Sequence, residues 1–126
     1  MDIEELRNYC LSKKGVTEGF PFGENVLVFK VGGKMFLLTP LDSALQMNVK
    51  CDPELAIELR EQYPEVQPGY HMNKKTWNTV VLAGSLTRKQ ILEFIDHSYH
   101  LVVSSLPKSL QAELIQNKLT GICRQR

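Results

Sequence analysis

Cysteine is scarce in this chain of 126 residues, and its three copies, Cys10, Cys51 and Cys123, lie far apart. No two of them form a Cys-x-x-Cys pair, the spacing found in many zinc sites and in thioredoxin-like redox motifs. An odd number of widely spaced cysteines also argues against a disulfide framework and is typical of reduced thiols in a cytoplasm. We therefore predict a cytoplasmic protein without disulfide bonds and without a cysteine-based metal site.

Long apolar runs are also missing. Every uncharged apolar run is far shorter than the about 20 residues that a membrane-spanning helix needs. The first residues, Met-Asp-Ile-Glu-Glu-Leu, are acidic, whereas a secretory signal begins with a basic segment. Hydrophobic residues make up 43% of the chain and charged residues 23%, proportions that favour a globular protein over a disordered one. We expect a monomer with one domain over residues 1–119, a tail over residues 120–126 and no membrane contact.

Recognisable catalytic motifs are absent too. The chain has no Gly-x-Ser-x-Gly nucleophile motif and no phosphate-binding glycine loop. His97 and His100 share a helix face and could hold zinc with His71, but no cysteine or carboxylate stands at a supporting spacing. Glu93 and Asp96 are interpreted as a solvated helix face. The sequence predicts no metal, no cofactor and no enzymatic activity; an enzyme using His71 as a base would need a pocket beside that residue.

Turn and cap residues divide the chain into clear segments. Asp2 suits the start of a first helix, and Asp52 followed by Pro53 suits the start of a second. Thr87 with Gln90 forms the pattern of a capping box ahead of the longest helix. Between two apolar runs, Gly32-Gly33 is typical of a two-residue hairpin turn.

The order of these segments predicts the fold class. Strands are expected at Glu24–Val31, Lys34–Thr39, Ala44–Lys50, Val66–Met72 and Trp77–Leu82. Because short strands follow one another and helices do not alternate with them, we expect an α+β two-layer sandwich. Its five-stranded antiparallel sheet would carry helices on one face, in the order α-β-β-β-α-β-β-α with a short C-terminal helix. Residues 17–23 are expected to form a loop that packs Phe20 and Phe22 over an edge of the core.

Charge is distributed unevenly along the chain. Residues 1–65 carry 7 Lys and Arg against 11 Asp and Glu, and residues 66–126 carry 8 against 3. A basic half attracts anions, although folding can interleave the two halves and remove the asymmetry. The cations of most interest flank one predicted strand, and they are Lys74, Lys75, Arg88 and Lys89.

Neutral side chains beside these cations suit a phosphate contact. His71 and Asn73 can donate or accept hydrogen bonds, and Trp77 either stacks a nucleobase or packs as a core residue. The sequence therefore predicts nucleic-acid binding through Lys74, Lys75, Arg88, Lys89, His71, Asn73 and Trp77. The alternative is a protein or peptide partner held at a sheet edge or on a sheet face.

Several motifs resemble those of the MmcQ/YjbR family. The most specific is Pro-Gly-Tyr-His-Met-Asn-Lys-Lys-Thr-Trp-Asn-Thr-Val over residues 68–80. Further matches are Phe-Pro-Phe at 20–22, Lys-Val-Gly-Gly-Lys-Met-Phe at 30–36, Asp-Pro-Glu-Leu at 52–55 and Gly-Ser-Leu at 84–86. The likeness extends from about residue 1 to about residue 115.

The resemblance implies a five-stranded antiparallel sheet in a two-layer fold that is also similar to type III secretion chaperones. Members of the family are commonly labelled DNA-binding, which is an analogy from fold and not a property that a fold confers. Many relatives have a histidine just before the tryptophan and an aspartate before the Gly-Ser pair, where this chain has Thr76 and Ala83. A role that needs either group is therefore not expected here.

Overall fold

The structure is a computed structural model that describes residues 1–42, 44–69, 72–82 and 84–114. In chain order its elements are α1 (Ile3–Leu11), β1 (Val16–Gly19), β2 (Val26–Val31), β3 (Lys34–Pro40), β4 (Gln46–Lys50), α2 (Pro53–Gln62), β5 (Val66–Pro68), β6 (Trp77–Val81) and α3 (Arg88–Ser104). A further helical segment covers residues 108–114.

The strands of the described residues form one antiparallel sheet in the order β1-β2-β3-β4-β6-β5. This confirms the α+β sandwich, but the expected number of five strands is wrong because the sheet has six. The additional strand is β1, which has only one apolar residue, Val16, and no alternating pattern. Its extended conformation comes from pairing with β2, a tertiary contact that no local pattern of residues indicates.

Side chains alternate between the two faces of the sheet, and the helices cover one of them. Phe29, Leu37, Met47 and Val80 point to the covered face and join one core with the apolar side of α3. The helix contributes Ile91, Ile95, Tyr99 and Val102. Burying a side chain of this size stabilises the fold by about 1.5–3 kcal/mol, so this layer contact is the main source of stability.

The opposite face is called the open face here. One row of residues crosses it from edge to edge, since each member pairs with the next across the sheet. In sheet order the row is Gly19, Val28, Leu38, Asn48, Thr79 and Gln67. Asn48 is only 7% exposed and accepts a hydrogen bond from the Thr79 hydroxyl at 2.6 Å. Both faces of the centre of β4 are therefore buried.

Local signals placed the helix starts and the hairpin correctly. Asp2 accepts from the backbone N–H of Glu5, Asp52 accepts from that of Leu55, and the capping box of Thr87 is complete. Gly32 and Gly33 both have positive φ, at 59° and 81°, as the hairpin turn requires.

Two other expectations differ from the structure. Phe20 and Phe22 do not pack over the core, because they are 51% and 61% exposed. The strand expected at Val66–Met72 ends at Pro68, one residue before a last ladder bond from the N–H of Gly69 to the carbonyl of Trp77 at 2.9 Å, and residues 70 and 71 lie outside the described part of the chain. The short last helix is present at residues 108–114, while the tail over residues 120–126 lies outside the described residues.

Candidate functional site

The four cations singled out in the sequence lie at two different places. Lys74 and Lys75 come just before β6, and Arg88 and Lys89 follow it at the start of α3. Because β6 has five residues, its two ends are roughly 13 Å apart. The structure thus brings Lys74 and Lys75 together and separates them from the other pair.

Arg88, at the start of α3, stands in an acidic neighbourhood. The guanidinium of Arg88 forms a salt bridge with Glu5 in the first turn of α1, which also carries Glu4. Glu65 lies at the same end of the sheet, where its carboxylate accepts hydrogen bonds from the N–H and hydroxyl of Ser85 at 2.6 and 2.8 Å. Those bonds lower the pKa of Glu65, so its negative charge persists here.

Lys74 and Lys75 lie near other lysines, because adjacent strands of the sheet run in opposite directions. The β2–β3 turn, the end of β4 and the start of β6 all fall at the same end of the sheet. This end therefore collects cations from four separate stretches of sequence. We call it the basic end, and its residues are Lys30, Lys34, Lys50, Lys74 and Lys75.

The register places two of these lysines on the open face. Lys30 and Lys50 alternate with core residues of β2 and β4, and Lys50 lies directly across from Trp77. Two strand spacings separate β2 from β4, so the two lysines stand roughly 10 Å apart across the sheet. Within the described part of the chain, no carboxylate pairs with Lys30, Lys50 or Lys75. Lys34 instead reaches Ser105, donating to its carbonyl at 3.5 Å and its hydroxyl at 3.4 Å.

The loop that presents Lys74 and Lys75 is held by Asn73. Its side-chain oxygen accepts from the N–H of Lys75 at 3.0 Å, and its carbonyl accepts from the N–H groups of Thr76 and Trp77. The asparagine therefore shapes the turn, a common use of this residue. Lys74 and Lys75 are both exposed.

Arg60 of α2 ties this loop to the rest of the fold. Its Nη2 donates to the carbonyls of Lys74 and Trp77, the latter at 3.3 Å, and its Nε donates to Asn78 Oδ1 at 2.7 Å. One guanidinium thus fixes both the loop and the first residues of β6. No sequence pattern marked this arginine, because its partners come from a segment about 15 residues away.

Trp77 is a structural residue in this arrangement. It is 8% exposed, and a β-carbon on Gly69 would come within 3.0 Å of its backbone oxygen, so strand β6 is closely covered here. A base cannot stack on a ring that is already buried. His71 lies outside the described residues.

The other candidates have structural partners. Asp96 accepts from the hydroxyl of Tyr9 at 2.6 Å and forms a salt bridge of 2.5 Å with Lys13, so it links α3 to α1 and is not simply solvated. Burial raises the pKa of the Cys10 thiol to about 12 and that of Cys51 to about 11, which keeps both protonated near neutral pH.

Among the residues placed by the structure, no cluster of His, Cys, Asp and Glu has the geometry to hold a metal ion. The same residues include no helix long and apolar enough to cross a membrane.

Comparison with known proteins gives a consistent relationship. The YjbR family model matches residues 11–101. YjbR of Escherichia coli K12 is 35% identical over 117 residues, which cover 92% of this chain and 99% of that protein. YbdF of Escherichia coli O157:H7 is 39% identical over 106 residues, covering 83% of this chain and 87% of that protein.

Solved structures agree with the sequence relatives. The Deinococcus radiodurans protein DR2400, from family-model domain DUF419, superposes with a TM-score of 0.83 at 38% identity, covering 89% of this chain and 86% of that one. A Pseudomonas syringae protein gives a TM-score of 0.69 at 27% identity, and the match covers 81% of this chain and 99% of that one. The match of the family model over most of the chain and the near full-length relatives show that this chain belongs to the YjbR family.

Proposed function

We propose that this chain is a small non-enzymatic protein of the cytoplasm that binds nucleic acid through its phosphates at the basic end. The observation that carries the proposal is the convergence of Lys30, Lys50 and Lys75 on one end of the sheet without a carboxylate partner among the described residues. Lysine ammonium groups in such a cluster can replace the counterions that surround a nucleic-acid backbone.

The geometry suits several successive phosphates. Lys30 and Lys50 stand on the open face roughly 10 Å apart, and the exposed loop of Lys74 and Lys75 continues beyond Trp77. Contacts of this type position a backbone and carry no base readout, so we expect affinity with little sequence preference. Binding needs no reacting group, and the two described cysteines are free and buried, as in a reducing compartment.

Fluorescence anisotropy with a labelled duplex and a labelled single strand, repeated over a series of salt concentrations, tests the proposal. If Lys30, Lys50, Lys74 and Lys75 each neutralise one phosphate, the logarithm of the affinity for duplex should fall with the logarithm of salt at a slope of about −3.6. The double variant Lys74→Glu/Lys75→Glu should lose most of the binding and of the salt slope.

A charge-matched control is available at the other end of β6. The double variant Arg88→Glu/Lys89→Glu changes the net charge by the same amount but leaves the basic end intact. It should keep most of the affinity. Equal losses in both variants would show a response to net charge alone, and absence of binding by the wild-type protein would remove the proposal.

A second candidate function, peptide binding, rests on a different observation. β1 is an edge strand, and the residues just after it include Phe20 and Phe22, which are 51% and 61% exposed. An extended peptide can add to such an edge and place apolar side chains against the aromatic pair. Peptides selected on the wild-type chain from a random display library should then lose binding to a Phe20→Ser/Phe22→Ser variant. Peptides that bind both proteins equally would remove this candidate.

A further inference from the structure

A cavity of about 270 Å³ opens on the helical side of the sheet, away from the open face. It lies between α2, α3 and the paired strands β4, β6 and β5. Its wall is largely apolar and includes Leu55, Leu59, Val66, Val80 and Phe94. The volume is just below the roughly 300 Å³ at which ligand pockets usually begin, so an occupant would be a small molecule with an apolar body.

Asn78 gives this cavity a polar group without a partner. The residue borders the cavity, and its side chain is 1% exposed. Its Oδ1 accepts from the Nε of Arg60 at 2.7 Å, whereas its Nδ2 donates to none of the described residues. Because the guanidinium of Arg60 donates to the oxygen of the Asn78 amide, the two N–H donors on Nδ2 point away from Arg60. Asn78 Nδ2 is not among the enclosed side-chain atoms that lack a partner, so it is accessible to an acceptor in the cavity it borders.

His97 adds a second donor at the same cavity. The backbone N–H of Asp52 donates to its Nε2 at 3.2 Å, so Nε2 is used as an acceptor and Nδ1 is the ring nitrogen left to donate. No described residue accepts from that nitrogen. The thiol of Cys51 also borders the cavity and is 4% exposed. Burial raises the pKa of this thiol to about 11, so it remains a weak S–H donor and not a thiolate.

The groups in this wall that lack a hydrogen-bond partner among the described residues are thus donors. A ligand therefore needs an acceptor to pair with them. Lys50 and Glu93 also border the cavity, but the register places the Lys50 side chain on the open face, so Glu93 leaves a negative charge at this wall and a neutral carbonyl suits it better than a carboxylate. We propose that the cavity binds a small apolar molecule ending in a carbonyl oxygen, a carboxylic acid or its amide, with the carbonyl on Asn78 Nδ2. This site is separate from the basic end and does not depend on nucleic-acid binding.

Calorimetric titration with three eight-carbon molecules tests the proposal. Octanoate and octanamide carry the required acceptor, and octylamine has the same apolar body with only donors at pH 7. At least one of the first two should bind at millimolar concentration, and octylamine should not. If only octanoate binds, the ligand is an acid; if octanamide binds at least as well, it is the neutral form. Octylamine binding as well as the other two, or no binding by either carbonyl compound, would overturn the proposal.

A pair of isosteric variants locates the contact. Asn78→Asp keeps the oxygen that Arg60 contacts and replaces the donor with an acceptor, so carbonyl binding should weaken about tenfold or more. Asn48→Asp is the matched control, because Asn48 is also a buried strand asparagine but points to the open face. The Asn48→Asp variant should bind the carbonyl compound with the same affinity as the wild type. Unchanged binding by Asn78→Asp, or equal weakening in both variants, would contradict the assignment.

A measurement on the wild-type protein does not depend on how the variants fold. In a sample labelled with ¹⁵N and ¹³C, the side-chain NH₂ signals of Asn78 should shift on addition of the bound compound, together with the methyl signals of Val66 and Val80. The NH₂ signals of Asn48 should stay in place. Shifts confined to other residues would show that the compound binds elsewhere.

Discussion

The two ends of the sheet carry similar cations in opposite surroundings. Lys74 and Lys75 join lysines from three other stretches of sequence, whereas Arg88 faces Glu5 and the acidic first turn of α1. In the sequence the two pairs stand 14 positions apart and are equally basic. The difference teaches that the potential at a surface depends on which segments the strand order brings together.

The two ends of the sheet also differ in how exposed their aromatic side chains are. Trp77 is 8% exposed at the basic end, and Phe22 is 61% exposed at the other. We expect Trp77→Ala to lower the free energy of unfolding by roughly 3–5 kcal/mol through lost burial and a residual cavity. Phe22→Ala should change it by less than about 0.5 kcal/mol, as is usual for exposed sites. Urea denaturation of both variants measures this, and comparable losses would contradict the assigned burial.

The arginines of the two ends give a smaller contrast. Arg60→Ala leaves Asn78 Oδ1 buried without its donor and releases the loop of Lys74, so we expect a loss of about 1–3 kcal/mol. Arg88→Ala removes only an exposed salt bridge, which contributes about 0–1 kcal/mol. Denaturation curves of the two variants test the order. If Arg88→Ala were the more damaging, the structural role given to Arg60 would be wrong.

Acid should weaken two carboxylate contacts that do not involve the lysines of the basic end. Hydrogen bonds from Ser85 lower the pKa of Glu65, and the hydrogen bond and charge of Arg7 lower that of Glu18. A carboxyl group with a lowered folded-state pKa stabilises the fold above its ordinary pKa of 4.5, and that contribution is lost as the pH falls through the lowered value. Glu65→Gln should therefore lose less stability on acidification than the wild type. Parallel denaturation curves at successive pH values measure it, and identical pH dependence would contradict the claim.

Single lysine changes give the smallest and sharpest test. Lys75→Ala should make the salt slope of nucleic-acid binding less steep by about 1, since one phosphate contact is lost. Lys89→Ala, at the opposite end, should leave that slope unchanged. The salt series described above measures both slopes. Equal changes would mean that position within the fold does not matter for binding.

Much of the fold followed from local chemistry. The caps at Asp2, Asp52 and Thr87 satisfy helix N–H groups within three residues, and Gly32-Gly33 meets a local need for positive φ. Such interactions are complete within a few positions of sequence. β1 was missed for the opposite reason, because its extended conformation depends on pairing with β2.

Only part of the candidate site could be predicted from the sequence. Lys74 and Lys75 were singled out as neighbours in the chain, but Lys30 and Lys50 reach them only through strand order and register. The cavity beside Asn78 had no sequence signal, since its walls come from two helices and three strands.

Taken alone, the sequence determined the helix starts, the hairpin turn and the α+β class, because each depends on residues close together in the chain. Tertiary structure decided which cations share a surface, that Trp77 is buried, and that Asn78 and His97 border one cavity. The physical reason is that charge, burial and unpaired hydrogen-bonding groups depend on neighbours in space, and those neighbours are brought together only by the pairing of strands distant in sequence.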